Sequence, residues 1–253
     1  MTDLKTTAAR ALASLDLTNL NDDCTIEDVE ALCARAQSKH GPTAAVCIWP
    51  QFIITAKRSL TGTAIKVATV VNFPSGMDTP EEVVDLTEKA IDDGADEIDL
   101  VIPYPKLMEG EANDVTSLVA RVKDAADGAR VKTILETGIL GDPTLIRQAC
   151  DLALEGGADF LKTSTGKVPV NATLTSARIL LEAIRDHGGP VGFKPAGGIK
   201  TTEDAAAYLA LCDEIMGPDW ATPTMFRIGA SGVLTALLAT LDGADAPEAQ
   251  AGY

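Results

Sequence analysis

The fold is decided by a short stretch that the chain carries twice, as GADEIDLVI at residues 94–102 and as GADFLKTST at residues 157–165. Each copy begins with a glycine that can end a helix and continues, after an acidic residue, into an apolar run typical of a buried strand. Similar runs recur along the chain, and the longer segments between them carry helix start signals. Strands that alternate with helices in this manner predict a parallel sheet.

Eight short strands are predicted in all. They lie near residues 15–18, 44–48, 67–71, 97–102, 131–137, 160–163, 191–194 and 227–229. Capping sequences such as Thr79-Pro80 and Asp142-Pro143 start helices between them. No Gly-x-Gly-x-x-Gly motif follows the first strand, which disfavours a dinucleotide-binding sheet. We therefore expect an α/β protein: a single (β/α)8 TIM barrel over residues 1–253, with an extra N-terminal helix and a flexible C-terminal tail at about 242–253.

Charge and composition exclude several classes of partner. The 253 residues are 46% hydrophobic and carry a formal net charge of −16, which repels nucleic acid and anionic membrane surfaces. No apolar stretch approaches the roughly 20 residues that cross a bilayer, and the N-terminus lacks the apolar core of a signal peptide. Five scattered cysteines without a Cys-x-x-Cys pair fit the reducing cytosol. We expect a cytoplasmic protein.

Histidine is too scarce for a zinc site with several imidazole ligands. The two histidines, His40 and His187, each precede a glycine and are interpreted as the last residues of helices. An imidazolium at such a position suits the helix dipole. We therefore expect no metal ion in the functional site.

Three ionisable residues interrupt otherwise apolar strands: Asp99, Lys162 and Lys194. Asp99 and Lys162 follow their Gly-Ala-Asp segments at equal distances, on the fourth and sixth strands, and inward side chains of alternate strands share a layer of a barrel. We expect them to face each other. A buried structural salt bridge is one interpretation, but the second lysine adds a like charge that favours a neutral amine. Such an amine can attack a carbonyl group at neutral pH.

Lys132 and Glu136 are two further charged residues of the predicted fifth strand, where they occupy one face. They could pair with Asp99 or Lys194, or with each other. The sequence does not decide between these arrangements.

A phosphate site is predicted at the loops that follow the seventh and eighth strands, where phosphate sites of such barrels recur. Glycine lets backbone N–H groups approach an anion, and the last helix adds the partial positive charge of its N-terminus. A lysine just past the sixth strand adds a mobile cation at the same rim. The candidate residues are Gly166, Lys167, Gly197, Gly198, Gly229 and Ser231.

Four segments resemble the signature sequences of the deoxyribose-phosphate aldolase family. They are VNFPSG at 71–76, EIDLVI at 97–102, FLKTSTGK at 160–167 and GFKPAGG at 192–198. The opening DLTNLN at 16–21 and the terminal Ala-Gly-Tyr are similar to the longer bacterial members, so the resemblance covers essentially the whole chain. Two positions depart from many relatives, with Gly232 in place of a second serine and Lys200 in place of an arginine.

The resemblance implies a class I aldolase, which needs no metal and no cofactor. Its reaction would cleave 2-deoxy-D-ribose 5-phosphate reversibly to D-glyceraldehyde 3-phosphate and acetaldehyde, in deoxynucleoside catabolism. Lys162 would form a Schiff base with the substrate, Lys194 would depress the pKa of Lys162, and Asp99 would move protons, partly through a water.

The same resemblance implies further contacts and an assembly. The residues that would contact the sugar or its water network are Asp16, Thr18, Asn21 and Thr165. The C-terminal Tyr253 would close over the site and help to move a proton. The family also suggests a homodimer or a homotetramer.

Other functions are compatible with parts of this pattern. Another lysine-dependent sugar-phosphate aldolase or transaldolase would use the same barrel with a different donor. An isomerase that uses only a carboxylate base, or a sugar-phosphate binder without activity, is disfavoured by the lysine pair. Cys47, on the second strand, is interpreted as a buried core thiol. If it faces the site instead, unsaturated aldehydes formed from acetaldehyde could add to it and inactivate the protein.

Overall fold

The structure is a computed structural model and describes residues 3–244. Within this range eight parallel strands form a barrel, in which neighbours are consecutive in the sequence and the last strand pairs with the first. They are β1 Leu15–Asn19, β2 Ala45–Ile48, β3 Lys66–Val71, β4 Glu97–Val101, β5 Arg130–Ile134, β6 Phe160–Lys162, β7 Gly192–Lys194 and β8 Ile228–Ala230. Bridges from Phe193 to Phe226 and from Ala196 to Gly229 link β7 to the region of β8. The predicted TIM barrel is confirmed.

Helices cover the outside of the barrel. They are α1 Leu4–Ala13, α2 Ile26–Arg35, α3 Ile53–Ser59, α4 Pro80–Asp92, α5 Tyr104–Met108, α6 Asn113–Ala125, α7 Thr137–Leu140, α8 Pro143–Glu155, α9 Leu174–His187, α10 Thr202–Met216 and α11 Val233–Asp242. Helix α1 precedes the first strand and packs against α10 and α11, so it is the expected extra helix. In the part of the chain that the structure describes, none of the helices is long and apolar enough to span a membrane.

Helix starts follow the capping sequences. The side chains of Thr25, Thr79 and Thr201 each accept a hydrogen bond from the backbone N–H three residues later. The carboxylate at that later position in turn accepts a hydrogen bond from the backbone N–H of the threonine. Asp142 accepts hydrogen bonds from the first free amides of α8. These caps satisfy donors that would otherwise lack partners, which is why the sequence marks the helix starts well.

The repeated Gly-Ala-Asp segment has the same structural role at both places. Asp96 Oδ2 accepts a hydrogen bond from the backbone N–H of Val67 at 2.8 Å, and Asp159 Oδ2 accepts one from the N–H of Val131 at 2.7 Å. Each aspartate therefore ties its own strand to the amino end of the strand before it. The repeat holds the residues three positions later at equivalent heights in the barrel.

The predicted fifth strand, 131–137, extends too far at its carboxyl end. Strand β5 ends at Ile134, Glu136 has a left-handed backbone with a φ of 56°, and Thr137 begins α7. Because Glu136 has left the strand, it does not share a strand face with Lys132, and that interpretation is wrong.

One of the two histidine interpretations is also wrong. His187 does end α9, before a glycine with a left-handed φ of 74°. Helix α2 stops earlier, at Arg35, because the chain turns into a short hairpin of residues 37–38 with residues 41–42. His40 lies in that turn, where its Nε2 is 2.7 Å from Oδ1 of Asp242.

The interior of the barrel packs a large side chain against a glycine near the amino ends of the strands. Phe160 of β6 is buried and is the register partner of Gly192 of β7. A Cβ atom at Gly192 would lie 2.3 Å from Cζ of the Phe160 ring. The guanidinium of Arg130 lies 5.2 Å from the centre of the same ring. Gly192 therefore provides the space that the phenyl ring fills.

Adding a methyl group at this position should weaken the fold. We expect Gly192→Ala to lower the free energy of unfolding by about 1–3 kcal/mol, because overpacking a closed interior forces side chains off their preferred rotamers. Urea unfolding followed by circular dichroism measures the change. Phe160→Leu in the same chain should recover part of the loss, since the two side chains compete for one space. Additive effects of the two substitutions would contradict the proposed clash.

Candidate active site

Two lysines and an aspartate meet inside the barrel toward the carboxyl ends of the strands. Lys162 is the last residue of β6 and Lys194 is the last residue of β7, and the two are register partners. The Nζ atom of each lies 2.7 Å from the same oxygen, Oδ2 of Asp99 on β4. Asp99 and Lys194 are fully buried, and Lys162 is 3% exposed. The expected juxtaposition of Asp99 and Lys162 is confirmed, and Lys194 completes it.

Lys132 takes one of the arrangements that the sequence left open. Its Nζ lies 2.8 Å from Oδ1 of Asp99 and 2.7 Å from Oε2 of Glu97. A third carboxylate, that of Asp16, is 3.4 Å away. Lys132 therefore occupies one side of the Asp99 carboxylate, and the two lysines at the strand ends share the other side.

Asp16 joins this group to an arginine at the opposite end of the barrel. Its Oδ2 accepts a hydrogen bond from Lys194 Nζ at 2.6 Å, and its Oδ1 accepts one from Arg227 Nη1 at 2.6 Å. Nη2 of Arg227 donates to Glu97 Oε1 at 2.7 Å. Each residue in this connected set is at most 3% exposed. We call the set the ion cluster; its members are Asp16, Glu97, Asp99, Lys132, Lys162, Lys194 and Arg227.

The two lysines at the strand ends differ in their partners. Burial lowers the pKa of Lys194, but contacts with both Asp16 and Asp99 outweigh burial and raise it above its ordinary value. Of these two carboxylates, Lys162 contacts only that of Asp99. Burial lowers the pKa of Lys162, Asp99 only partly offsets this, and the nearby Lys194 ammonium lowers it further. Lys162 is therefore the amine of the pair that loses its proton more readily.

The carboxylates of the ion cluster are held in the charged form. Burial by itself would raise the pKa of Asp99, but Lys132, Lys162 and Lys194 hold it well below its ordinary value. For Asp16, burial is likewise outweighed, chiefly by Arg227 and Lys194, so its pKa is also lowered. Asp99 in this state is an electrostatic partner for the lysines more than a strong base.

Glu136 supports the loop that follows Lys162. Its carboxylate accepts a hydrogen bond from Thr165 Oγ1 at 2.5 Å and from the Thr165 N–H at 3.3 Å. Both side chains are fully buried. Burial raises the pKa of Glu136, although the bonds from Thr165 and the charge of Lys162 partly offset this. Thr165, expected to contact a sugar, here directs its hydroxyl toward Glu136.

The predicted phosphate loops lie together at the carboxyl end of the barrel. Gly166, Gly197 and Gly198 all have left-handed backbones, with φ angles of 86°, 80° and 83°. The Gly197 N–H donates to the Gly229 carbonyl at 3.2 Å, which joins the two loops. Ser231 follows β8 and stands just before Gly232, the N-cap residue of α11. This arrangement brings glycine-rich backbone and a helix N-terminus to one rim, and phosphate binding there stays a prediction.

Gly229 differs from the other glycines because it lies within β8 and not in the loop after it, and its phosphate contact stays a prediction. A Cβ atom there would be 2.9 Å from Cβ of Ala196 and 3.1 Å from Cε of Lys194. The missing side chain therefore leaves room for Lys194 inside the barrel.

Three other predicted contact residues lie farther along the rim. Thr18 is buried and donates from Oγ1 to the Asp16 carbonyl at 2.9 Å, which places it beside the ion cluster. Asn21 is exposed, and its carbonyl accepts a hydrogen bond from the Trp49 indole at 3.0 Å. The exposed Lys167 places its Nζ 3.1 Å from Asp22, so the cation expected to be mobile is paired across the rim.

Cys47 is a buried thiol close to the charged residues. It lies in β2 with no exposed surface and is the register partner of Thr18. Burial and the Asp99 carboxylate raise its pKa, while Lys194, Lys162 and Lys132 partly offset them. The thiol therefore lies within electrostatic range of the lysines, but it is held protonated and enclosed.

Sequence reasoning missed two members of the ion cluster, Glu97 and Arg227. Each is an ionisable residue at the edge of an apolar strand, a weaker signal than the interruption of a strand that identified Asp99. Tyr253, expected to close the site, lies outside the described residues. Within residues 3–244, no group of three or more histidine, cysteine or acidic side chains is arranged to hold a metal ion.

A parallel (β/α)8 barrel with ionisable side chains gathered toward the carboxyl ends of its strands is the architecture of an enzyme. Comparison with known proteins specifies which kind. Residues 10–239 match the model of the DeoC/LacD family aldolases. The chain therefore belongs to this aldolase family and is a carbon–carbon lyase.

Individual relatives agree with the family. A deoxyribose-phosphate aldolase of Agrobacterium fabrum is 54% identical over 248 residues, which are 97% of this chain and 96% of that protein. The apo structure of a Toxoplasma gondii protein, provisionally named deoxyribose-phosphate aldolase, is 30% identical with a TM-score of 0.88, over 96% of this chain and 99% of that one. A tetrameric deoxyribose phosphate aldolase of Aeropyrum pernix, 24% identical, shares the fold with a TM-score of 0.76 over 94% of this chain and 97% of its own.

Proposed function

We propose that the protein is a class I aldolase that cleaves 2-deoxy-D-ribose 5-phosphate reversibly to D-glyceraldehyde 3-phosphate and acetaldehyde. The observation that carries the proposal is the shared contact of Lys162 and Lys194 with one oxygen of Asp99, 2.7 Å from each. Of the two amines, burial and the neighbouring ammonium favour the neutral form of Lys162. A neutral amine at the carboxyl end of a barrel strand is what a Schiff base requires. The 54% identical relative carries the name of this activity.

The reaction begins when the neutral Lys162 amine attacks C1 of the open-chain aldehyde. Loss of water from the carbinolamine gives an iminium ion, which withdraws the electron pair of the C2–C3 bond. As that bond breaks, the C3 hydroxyl loses its proton and D-glyceraldehyde 3-phosphate departs. The remaining enamine takes a proton at C2, and water hydrolyses the resulting iminium to acetaldehyde and free Lys162. No redox step occurs, and the proton removed at C3 balances the proton added at C2.

Asp99 and its neighbours have distinct tasks in this scheme. Three lysines hold the pKa of Asp99 well below its ordinary value. Asp99 is therefore protonated only transiently, and it exchanges protons with the substrate most readily through a water. Lys194 stays charged because Asp16 and Asp99 both contact it. Its ammonium can stabilise negative charge that develops on the substrate oxygens. Asp16 holds Lys194 in place, and its contact with the sugar or the water network stays a prediction.

The rim residues are proposed to bind the phosphate and the sugar. The loops at residues 166–167, 197–198 and 231–232 provide backbone N–H groups beside the N-terminus of α11. Asp16, Thr18, Asn21 and Thr165 complete the contacts with the sugar or its water network in this proposal, and Tyr253 closes over the site and helps to move a proton. A role in deoxynucleoside catabolism, a cytoplasmic location and assembly as a homodimer or homotetramer stay predictions, as does a single domain over residues 1–253.

Reductive trapping tests the mechanism. We expect acetaldehyde with borohydride to add 28 mass units to Lys162, about the mass of the ethyl group that reduction of the imine leaves. Peptide mass spectrometry locates the adduct. Cleavage of deoxyribose 5-phosphate is assayed in parallel. In the reverse direction, dihydroxyacetone phosphate is compared with acetaldehyde as the donor. An adduct on a different lysine would overturn the assignment of the nucleophile, and preference for dihydroxyacetone phosphate would indicate another sugar-phosphate aldolase.

A further inference from the structure

The ion cluster has an unusual balance of charge. Its carboxylates are those of Asp16, Glu97 and Asp99, and its cations apart from Lys162 are Lys132, Lys194 and Arg227. Three negative charges therefore meet three positive charges, and the cluster is neutral as a whole when the Lys162 amine carries no charge. Protonating Lys162 leaves one positive charge in excess in a buried space. An excess buried charge is costly, so the charges of the whole cluster influence whether Lys162 is protonated.

One anion and one cation of this balance are located away from the reacting groups. Glu97 begins β4 and Arg227 precedes β8, so both lie at the amino ends of the strands. The side chains of Lys162 and Lys194 leave the opposite ends of theirs. Arg227 also donates from Nε to the Pro223 carbonyl at 2.6 Å, and Glu97 accepts a bond from the partly exposed Arg130 at 3.3 Å. The pair is therefore fixed in place on both sides.

We propose that Arg227 and Glu97 are positioning residues for the reaction: Arg227 anchors Asp16, Glu97 holds Arg227, and the two charges keep the ion cluster in balance only when Lys162 is neutral. The inference rests on the proposed function, in which Lys162 is the nucleophile. Arg227 acts through Asp16, which it holds at 2.6 Å and which in turn holds Lys194 at 2.6 Å. Neither Arg227 nor Glu97 touches the substrate in this scheme.

Other charged and titratable groups also face Lys162. Asp99 contacts it from β4 and Lys194 from β7, Cys47 faces it from β2, and Glu136 acts from the segment after β5. Replacing any of these would change the immediate surroundings of the amine. Arg227 and Glu97 allow the charge to be changed without altering those surroundings, which makes them the informative positions.

The amino end of the barrel is open enough for such changes. A cavity of about 700 Å³ lies there, and its lining includes Arg130, Arg227 and Glu97. A smaller side chain at either buried position can therefore admit water from this cavity, away from the substrate side. This favours variants that fold with the charge removed.

The test measures the pKa of Lys162 directly, by NMR of ¹³C-lysine-labelled protein, with the Lys162 signal identified by its absence in Lys162→Met. Removing a cation from the cluster should raise this pKa, and removing an anion should lower it. We expect Arg227→Gln to shift it upward by about one pH unit and Glu97→Gln to shift it downward by about as much. The double variant, which removes one charge of each sign, should return it to the value of the unaltered protein.

Two matched variants complete the design. Arg227→Lys keeps the charge and should keep the pKa, while Arg178→Gln removes an arginine from an exposed pair with Glu214 and should have no effect. If Arg227→Gln does not fold, Glu97→Gln and the double variant still give different expectations, a downward shift for the first and no shift for the second. Unchanged pKa values, or shifts of one sign in both single variants, would overturn the inference. Opposite shifts in a protein that forms no aldehyde adduct on Lys162 would overturn the proposed function and leave the charge balance standing.

Discussion

Lys162→Met should abolish aldol cleavage, with a fall in kcat of at least about 10⁴-fold, because no other group in the proposed scheme can form the imine. The fold should survive the substitution. Asp99 keeps its contacts with Lys132 and Lys194, and the remaining carboxylates and cations of the ion cluster balance each other. Steady-state assays with deoxyribose 5-phosphate measure the loss, and far-UV circular dichroism checks the fold.

The control for this prediction is a lysine that also pairs with an aspartate but lies elsewhere. Lys57 is 41% exposed and contacts Asp96 at 3.0 Å on the outside of the barrel. Lys57→Met should leave kcat unchanged within a factor of about two, since exposed pairs contribute little. Substantial turnover by Lys162→Met would show that another group is the nucleophile.

Lys194→Leu should have the second largest effect, with a fall in kcat/KM of about 10²-fold or more. Removing the ammonium beside Lys162 raises the pKa of that amine, because a like charge no longer opposes its protonation. The neutral amine then appears only at higher pH. The acid limb of the pH profile of kcat/KM, which reports on the free enzyme, should therefore move upward.

Lys194→Arg separates charge from shape in this experiment. The guanidinium keeps the positive charge but is larger and planar, so it does not reproduce the compact ammonium that lies 2.6 Å from Asp16 and 2.7 Å from Asp99. We expect a slower enzyme whose acid limb stays at its original pH. If the limb stays in place for Lys194→Leu as well, a like-charge role for Lys194 is excluded.

Eight strands alternating with helices predicted the barrel, and the meeting of Asp99 with Lys162 inside it was predictable for one physical reason. Strands that follow identical Gly-Ala-Asp segments start at the same height, and alternate strands of a barrel share inward layers. The register could thus be counted from the repeats alone. Helix starts were equally predictable, because caps such as Thr79 are local and need no knowledge of the rest of the chain.

Contacts between side chains on opposite walls of the barrel could not be predicted from residue spacing. Arg227 and Glu97 come from strands on opposite walls, and the distance between opposite walls depends on the shear of the closed barrel. The partner of Lys132 was open for the same reason, since three carboxylates from different strands surround it. Glu136 was misplaced because its left-handed φ of 56° is uncommon for a residue with a side chain and carries no local sequence signal.

For anyone who wishes to redesign the donor or acceptor range of this aldolase, Gly229 narrows the choice of positions to vary. It lies within a strand and has no side chain, so a randomised library would ordinarily include it. Any side chain there would meet Lys194 Cε at 3.1 Å and Ala196 at 2.9 Å. Variation is better confined to the rim, where Gly232 has open space around it and a backbone that residues with side chains adopt readily. Gly229 therefore cannot be varied freely, because the space that it leaves is filled by the side chain of Lys194.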